Sequence, residues 1–371
     1  MNAVVYHHGK FPPTGIDWER LVPLIGPATL ALGDFRGLLD AVPDAWVLLS
    51  PLTTQEAVLS SRIEGTQATL GEVLEFEAGG KPPQQTPEKI NDIEEVINYR
   101  VAIHEAARRL AELPLCGRLL KETHAILMRG VRGRDKAAGQ FKTTPNAIGA
   151  PGCTAETAKF LPIEPAYLDD GISLWENYLH SDQPDLLIQL AVVHAEFEAL
   201  HPFLDGNGRL GRMLVPLFLY ERKVLSHPAF YISEYLERHR EEYYERLLAV
   251  SRDNDWTGWI AFFLRAMAEQ ARVNTKRARA ILQLYEDRKR WIVERTHSQY
   301  AVAALDFMFR QPIFSGSDFS KAQGIPKPTA RRILATIREA LLRELRPAAG
   351  QRPAIYAYRE LLNAAEGKEA F

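Results

Sequence analysis

Hydrophobic residues recur along most of the chain with the periodicity of amphipathic helices. The pattern predicts helices within residues 17–80, 88–112, 116–130, 166–180, 185–200, 208–223, 234–251 and 256–290. The segment 185–200 is apolar on almost every side, so we expect this helix in the middle of a domain. Alternating strand patterns are scarce. The sequence therefore predicts a mainly α fold.

Two segments interrupt the helical pattern. Residues 79–87 (GGKPPQQTP) form a predicted linker, because their glycines and prolines cannot continue a helix. Residues 131–166 are mostly small or polar, with short extended pieces near Phe141–Thr144 and Phe160–Ile163. We expect a loop or a β-hairpin there. An irregular segment of this length in a compact domain is often functional, and a plain surface loop is the alternative.

Residues 300–371 are predicted to form a separate unit. A helix at 300–310, a short helix at 315–325, a third helix at 326–342 and a strand–turn–strand follow one another. This order is typical of a winged helix-turn-helix domain.

Basic residues near the start of the third helix make DNA a candidate partner of this unit. Thr329, Arg331 and Arg332 would face a DNA groove, and Lys327 and Arg352 would contact phosphates. Winged helices are also used for protein contacts, so both kinds of partner stay open.

The bulk composition is that of a globular protein: 371 residues, 46% apolar and 25% charged. The formal net charge is -2, so any contact with nucleic acid or an anionic membrane must come from a local patch. Cys116 and Cys153 are too few and too far apart for a zinc knuckle or a disulfide framework. The start of the chain resembles no secretory signal, and no apolar stretch reaches the ~18–20 residues that span a bilayer. We therefore expect a cytoplasmic protein without membrane contact.

The densest group of chemistry-bearing residues is HPFLDGNGRLGR at residues 201–212. Pro202 disfavours helical geometry in the residue before it, so the buried helix ends at His201. The glycines let backbone amides approach a ligand, and a glycine turn that opens a helix is a natural anion site. Arg209 and Arg212 add two cations near the start of that helix, where the dipole disfavours them. The segment therefore predicts a polyphosphate site, whereas a bare turn would leave the arginines unexplained.

A metal-binding stripe is a rival interpretation of the same helix. His194, Glu198 and His201 fall at i, i+4 and i+7 on one face. However, the chain has no H-E-x-x-H motif there, and the metal reading leaves the glycines and arginines of 201–212 unexplained. A buried, hydrogen-bonded His194 is the simpler alternative.

Residues 201–212 match, at every fixed position, the signature H-P-F-x-x-G-N-G-R-x-x-R of Fic-domain proteins. The chain resembles this family over roughly residues 45–270. The resemblance implies an all-helical core with a small β-hairpin flap, whose candidate residues are Thr143, Ile148 and Gly149. The resulting domain boundaries are 1–90 for an N-terminal helical region, 91–272 for the core, and 273–371 for a linker helix and the winged helix-turn-helix domain.

The resemblance also implies an activity, because most Fic proteins transfer AMP from ATP to a Ser, Thr or Tyr hydroxyl of a protein. His201 would be the general base, since a histidine is mostly neutral near pH 7. Asp205 would hold Mg²⁺ against the ATP phosphates. The remaining roles are an anion hole from Gly206, Asn207 and Gly208, and a clamp on the β- and γ-phosphates from Arg209 and Arg212. Gly208 stands where a phosphorylating branch of the family has lysine, which favours AMP transfer.

The sequence departs from the family pattern at two positions. Lys142, in GQFK, stands where the family usually has arginine in G-x-F-R before the flap. Ser251 stands where some relatives have an asparagine that contacts adenine. Tyr243 or Tyr244 is therefore expected to carry more of the contact with the base.

Residues 60–65 (SSRIEG) resemble the family's inhibitory pattern, Ser/Thr-x-x-x-Glu-Gly/Asn, with Ser60, Glu64 and Gly65 at the fixed places. The resemblance implies that Glu64 pairs with Arg212 in the same chain and takes the space of the ATP γ-phosphate. By itself such a hexapeptide is a weak signal, and an exposed helix glutamate is the alternative. In some relatives the equivalent glutamate also serves removal of AMP.

The favoured prediction is thus an autoinhibited, Mg²⁺- and ATP-dependent protein adenylyltransferase whose target protein the sequence does not name. There are two alternatives: an ATP-sensing regulator that binds DNA through residues 273–371, and an enzyme that removes AMP. A homodimer is also left open.

Overall fold

The computed structural model describes residues 3–42, 44–79, 86–130, 136–150, 152–322, 324–350, 352–369 and 371. The mainly α character that the pattern predicts is confirmed, because helices account for most of these residues and the strands are short. Residues 80–85 of the predicted linker and 131–135 of the predicted loop lie outside the described residues.

The helices in the described part of the chain are α1 (Trp18–Asp40), α2 (Ala45–Leu48), α3 (Ser50–Ile63), α4 (Leu70–Glu77), α5 (Pro87–Arg109), α6 (Gly117–Leu127), α7 (Pro165–His180), α8 (Leu186–Leu200), α9 (Asn207–Glu221), α10 (Ser233–Arg238), α11 (Arg240–Asp253), α12 (Trp256–Thr296), α13 (Ala301–Arg310), α14 (Gly316–Ser320), α15 (Lys327–Leu341) and α16 (Arg359–Glu366). The strands are β1 (Val4–Val5), β2 (Phe160–Leu161), β3 (Ile313–Ser315), β4 (Arg343–Arg346) and β5 (Ile355–Ala357). No helix among the described residues has both the length and the apolar character that crossing a bilayer requires.

The chain forms two compact units, and neither is continuous in sequence. Unit 1 consists of the chain up to Arg36, Leu59–Glu64 and Asn98–Arg272. Unit 2 consists of Gly37–Val58, Gly65–Ile97 and Val273–Phe371. The N-terminal 90 residues therefore contribute to both units.

Helix α8 is the central helix of unit 1, as its apolar sequence predicts. It packs against α7, α9 and α11. Its backbone also accepts hydrogen bonds from two buried indoles, Trp175 Nε1 to Val193 O at 2.9 Å and Trp259 Nε1 to Ala191 O at 2.7 Å. Burial on every side is possible because the helix satisfies its own backbone groups and carries few side chains that need water.

Local chemistry sets both ends of α8. Asp185 caps the N-terminus, since its Oδ1 accepts from the amides of Leu187 and Ile188 at 2.9 Å each. At the C-terminus His201 adopts a left-handed conformation, with φ 47° and ψ 60°. This conformation is uncommon for a residue with a side chain, and Pro202 follows it. The helix therefore ends where the sequence predicts, and it places His201 at its tip.

The expected β-hairpin flap is less regular than a hairpin. Phe141–Thr144 forms no strand, and the antiparallel contact is one isolated bridge between Ile148 and Phe160. Strand β2 pairs instead with β1 in parallel, Val4 opposite Phe160 and Val5 opposite Leu161. The sequence did not indicate this pairing, because two residues are too few to show a strand pattern.

A buried polar cluster follows β1. Tyr6 Oη donates to Glu196 Oε1 at 2.6 Å, and His7 Nε2 lies 2.9 Å from Glu196 Oε2. The other ring nitrogen of His7, Nδ1, lies 2.7 Å from Ser251 Oγ. The Glu196 and His7 side chains are fully buried, so each group in the cluster depends on its partner for hydrogen bonding.

Replacing Glu196 by alanine should therefore destabilise unit 1. The change leaves Tyr6 Oη and His7 Nε2 buried without their acceptor, which costs about 3 kcal/mol. We expect the midpoint of thermal unfolding to fall by about 6–12 °C. Glu241→Ala, at an exposed position of α11, is the control and should shift the midpoint little. Equal midpoints for the two variants would contradict the prediction.

Unit 2 is built around a three-stranded antiparallel sheet in the order β3–β5–β4. Helices α14 and α15 lie between β3 and β4 in sequence, so the predicted helix, helix and strand–turn–strand are all present. Strand β3 was not predicted. Nor was the packing of α4 on this sheet, where Leu70 and Leu74 join a core with Ile313 and Ile355. Glu75 of the same helix pairs with Arg346 of β4 at 2.5 Å.

Candidate active site

The segment 201–212 forms a tight turn that opens α9. Gly206 precedes the helix with φ 77°, a conformation that favours glycine, and a Cβ there would come within 2.9 Å of Met128 Sδ. The Asn207 side chain closes the turn, because Oδ1 accepts from Phe203 N at 2.8 Å and Nδ2 donates to Phe203 O at 2.7 Å. The first amides of α9 have no partner within the helix, so they form a site suited to an anion.

His201 lies at the tip of α8 as a neutral imidazole. Burial, together with the nearby Lys142 charge, lowers the pKa of His201 to about 4, and Glu64 partly opposes this shift. Nδ1 lies 3.4 Å from Glu198 O. A carbonyl oxygen only accepts, so this contact puts the proton on Nδ1 and leaves the lone pair on Nε2. The ring is therefore neutral near pH 7 and offers Nε2 as a proton acceptor.

Arg212 of α9 is fully buried and bound by α3. Its Nε donates to Ser60 Oγ at 2.9 Å, and its Nη2 donates to Ser60 O at 2.9 Å. Nη2 also donates to Glu64 Oε1 at 2.7 Å. Ser60 and Glu64 thus bind one guanidinium, although they lie 152 and 148 positions away from Arg212 in sequence.

The Glu64 carboxylate lies over the start of α9. A Cβ at position 208 would overlap Glu64 Oε1, so any other residue there would displace the carboxylate. Burial alone would raise the pKa of Glu64, but the charge and hydrogen bond of Arg212 hold this pKa below its usual value. The carboxylate is therefore ionised near pH 7 and lies at a helix N-terminus that favours negative charge. Gly65, which follows it, has φ 103°, again a conformation that favours glycine.

Asp205 and Arg209 lie on the same turn. The Arg209 side chain is buried, and its Nη2 lies 3.7 Å from Met128 Sδ and 4.0 Å from Asp205 Oδ1. The Asp205 side chain is 46% exposed, and its Oδ1 accepts from Gly206 N at 2.6 Å. Mg²⁺ prefers oxygen ligands and keeps several waters, so one half-exposed carboxylate beside an anion site fits this ion.

His124 of α6 contacts the turn, and the sequence reasoning missed this residue. Its Nδ1 accepts from Gly139 N at 2.9 Å, and its Nε2 lies 2.9 Å from Asp205 O. The ring stacks on Phe203 at 3.9 Å between centroids, and burial lowers its pKa to about 4. A lone histidine in an amphipathic helix gives no sequence signal for this contact.

The rival metal stripe does not fit the environment of His194. Nδ1 lies 3.0 Å from Gly211 O and Nε2 lies 3.0 Å from Tyr243 Oη, so both ring nitrogens are used in hydrogen bonds. Burial lowers the pKa of His194 to about 3. The side chain is a buried, neutral, hydrogen-bonded histidine.

The candidates for the adenine side lie on α11. Tyr243 is fully buried with its hydroxyl against His194. Tyr244 is half-buried and lies beneath the Arg240 guanidinium at 5.8 Å, so it has the more accessible ring. Ser251 is buried, and its hydroxyl contacts His7 Nδ1.

Of the flap candidates, Ile148 lies at the edge of the short sheet that contains β2. Ile148 N donates to Phe160 O at 2.9 Å, and Ile148 O accepts from Lys159 N at 2.8 Å. Thr143 and Gly149 are exposed, and a Cβ at position 149 would lie 3.0 Å from Cys153 Sγ.

Unit 2 contains the residues expected to contact DNA. Lys327 and Arg331 are exposed in the first turns of α15, and Thr329 is half-buried. Arg332 Nη1 donates to Thr296 O at 2.9 Å, so part of its guanidinium is already bound within the unit. Arg352 is exposed and forms an isolated bridge with Ala349.

Solved structures with a similar fold cover 68% to 94% of the chain. A Fic family protein from Desulfovibrio desulfuricans G20 is 21% identical, with a TM-score of 0.60 over 94% of this chain and 98% of that one. A Fic domain containing signaling protein from Bacteroides thetaiotaomicron VPI-5482 is 16% identical, with a TM-score of 0.53 over 68% of this chain and 97% of that one. At sequence identities of 21% and 16%, the structural similarity establishes the fold alone.

Curated relatives match shorter segments. A probable protein adenylyltransferase of Aquifex aeolicus (strain VF5) is 36% identical over 91 residues, which cover 24% of this chain and 26% of that protein. A protein adenylyltransferase of Caenorhabditis briggsae is 29% identical over 170 residues, covering 42% of this chain and 30% of that protein. The chain thus matches less than a third of the length of these relatives.

Two family models match the parts of the chain that build the site. The model described as Fic/DOC family N-terminal matches residues 22–108, which include Ser60 and Glu64. The model described as Fic/DOC family matches residues 114–219, which include His201 and the start of α9. With this sequence match and the fold of its structural neighbours, the chain belongs to the Fic-domain family.

Proposed function

We propose that this protein is an ATP-dependent protein adenylyltransferase that its own Glu64 keeps inactive. The curated relatives are named protein adenylyltransferases, and residues 201–212 provide a neutral base beside an anion site. The substrates are ATP and a protein hydroxyl, on a target or on the chain itself.

The proposed reaction moves one proton and exchanges one P–O bond. The target hydroxyl gives its proton to His201 Nε2 while its oxygen attacks the α-phosphorus of ATP. The bond from the α-phosphorus to the bridging oxygen breaks, and pyrophosphate leaves. The product is the AMP ester of the hydroxyl.

Charge that develops on the phosphates would be stabilised by groups at the start of α9. Amides of Gly206, Asn207 and Gly208 at the start of α9 donate to the α-phosphate, and Arg209 with Arg212 binds the β- and γ-phosphates. Asp205 would hold Mg²⁺, which would neutralise phosphate charge when bound.

The observation that most supports the proposed inhibition is the ion pair between Glu64 Oε1 and Arg212 Nη2, at 2.7 Å. A carboxylate on this guanidinium and over Gly208 occupies the place that a terminal phosphate would need. ATP can then bind only with its phosphates displaced, which misaligns the α-phosphorus for attack.

The test is incubation of purified Glu64→Gly protein with Mg²⁺ and ATP, followed by mass spectrometry for covalent AMP. AMP on the variant, and its loss on adding His201→Ala, supports the proposal. ATP binding without any covalent AMP, on itself or on added cell proteins, contradicts it. Wild-type protein added to the AMP-modified variant tests the alternative that Glu64 serves AMP removal, which predicts release of AMP.

DNA binding by unit 2 is a second candidate function, favoured by the exposed Lys327 and Arg331 at the start of α15. We expect Arg331→Glu to weaken binding to duplex DNA by ~5–10-fold at low salt and to reduce the salt slope by about one. Arg290→Glu, a matched charge change at an exposed position of α12, should leave binding unchanged. Gel-shift titrations at two salt concentrations measure both. No binding by wild-type protein at ~50 mM salt would end this proposal.

A further inference from the structure

Lys142 is a buried cation next to the proposed base. Only 3% of the residue is exposed, and its Nζ donates to Asn146 Oδ1 at 2.7 Å and to Leu200 O at 3.1 Å. Its backbone amide donates to Pro202 O at 2.8 Å. Burying an ammonium is costly, so a lysine here calls for a physical reason.

Asn146 completes a set of contacts to the same backbone. Its Nδ2 donates to His201 O at 3.2 Å and to Phe203 O at 2.9 Å. Lys142 and Asn146 together thus bind the carbonyls of four successive residues, 200–203. We call this pair the carbonyl clamp.

The carbonyl clamp binds the backbone on both sides of His201, a residue with positive φ. His201 has φ 47°, a strained conformation for a residue with a side chain, which persists only where the surroundings enforce it. The Lys142 charge also lies at the C-terminal end of α8, where the helix dipole favours a cation. The backbone around His201 is thus held by one short segment, residues 142–146.

We propose that Lys142 and Asn146 are positioning residues, which hold residues 200–203 so that the His201 imidazole keeps its place in the site. This inference rests on the proposed role of His201 in AMP transfer. It also gives a function to the buried cation at position 142.

The charge of the carbonyl clamp gives a readout that a structural role alone would not change. The charged groups that act on the His201 ring are Lys142, which lowers its pKa, and Glu64, which raises it. Removing the Lys142 charge should therefore raise the pKa of His201. Burial lowers the pKa of Lys142 itself to about 7, so Lys142 is charged throughout the range in which His201 titrates.

The experiment compares Lys142→Met, Lys142→Arg and Asn146→Ala in the Glu64→Gly background, with Lys159→Met at an exposed position as the control. Because a small misplacement of a base is costly, we expect Lys142→Met and Asn146→Ala to lower kcat by about 10²-fold, with KM for ATP changed by less than about threefold. Lys142→Arg should retain most of the activity, because a guanidinium keeps the charge and the donors. Lys159→Met should behave like the parent.

An NMR titration of the histidine ring protons gives a second measurement that does not need activity, with the His201 signal identified by its loss in His201→Ala. The pKa of His201 should rise in Lys142→Met and stay unchanged in Lys142→Arg and Lys159→Met. An unchanged kcat, or an unchanged His201 pKa in Lys142→Met, would overturn the inference. If the Glu64→Gly parent transfers no AMP, the proposed function fails, and the titration alone then decides whether the carbonyl clamp acts on His201.

Discussion

Glu64→Gly should incorporate AMP about 100-fold faster than the wild-type protein. The change removes the carboxylate from Arg212 and from the start of α9, whereas both contacts to Ser60 remain. Breaking a buried charge pair costs ~3–5 kcal/mol, and we take the lower end because the Glu64 side chain is 37% exposed. About 3 kcal/mol corresponds to a factor of ~100. Initial rates with labelled ATP and Mg²⁺ measure it.

Two further variants separate charge from shape. Glu64→Gln keeps the size of the side chain and loses the charge, so it should activate less than Glu64→Gly. Glu112→Gly is the matched control, because this turn glutamate also pairs with an arginine, Arg109 instead of Arg212. It should leave the rate at the wild-type level. Equal rates for wild type and Glu64→Gly would show that Glu64 does not inhibit.

Adding His201→Ala to Glu64→Gly should lower AMP transfer by about 10²–10⁴-fold, the usual contribution of a general base. ATP binding should stay within about threefold, since the amides and arginines of α9 remain. His297→Ala is the matched control, because His297 also has a positive φ, 46°, and is exposed in unit 2. Calorimetric ATP binding and transfer rates together test the prediction, and a double variant as active as its parent would contradict the assignment of the base.

The pH dependence gives an independent check on the same residue. Only the neutral imidazole accepts a proton, and its pKa is lowered to about 4 by burial and by Lys142. Activity that depends on His201 should therefore persist as pH falls from 7 to 5, below the usual histidine pKa of ~6.5. Glu64 raises the pKa of His201, so its removal moves the acid limb to lower pH, not higher. A half-maximal rate near pH 6.5 would contradict this burial of the ring.

Local sequence patterns predicted the helices and the turn well. The apolar run before His201 gave α8 and its burial, and Pro202 with the following glycines gave the end of α8 and the start of α9. The flap region was predicted less well. Its residues form one isolated bridge and a strand of two residues. The pairing of this strand depends on β1, which lies near the N-terminus and is distant in sequence.

The sequence by itself determined the helical class of this protein, the chemistry of residues 201–212 and, through the family signature, the kind of site to expect. These features lie within a few turns of chain, where periodicity and turn chemistry are set by neighbouring residues. The tertiary structure decided which distant groups meet them: Ser60 on Arg212, the carbonyl clamp of Lys142 and Asn146 on residues 200–203, and His124 on the turn. Such contacts depend on how helices pack. One side chain in a helical pattern does not reveal its partner. The turn and, through the family resemblance, the pair of Glu64 with Arg212 were therefore predicted, whereas these three contacts were not.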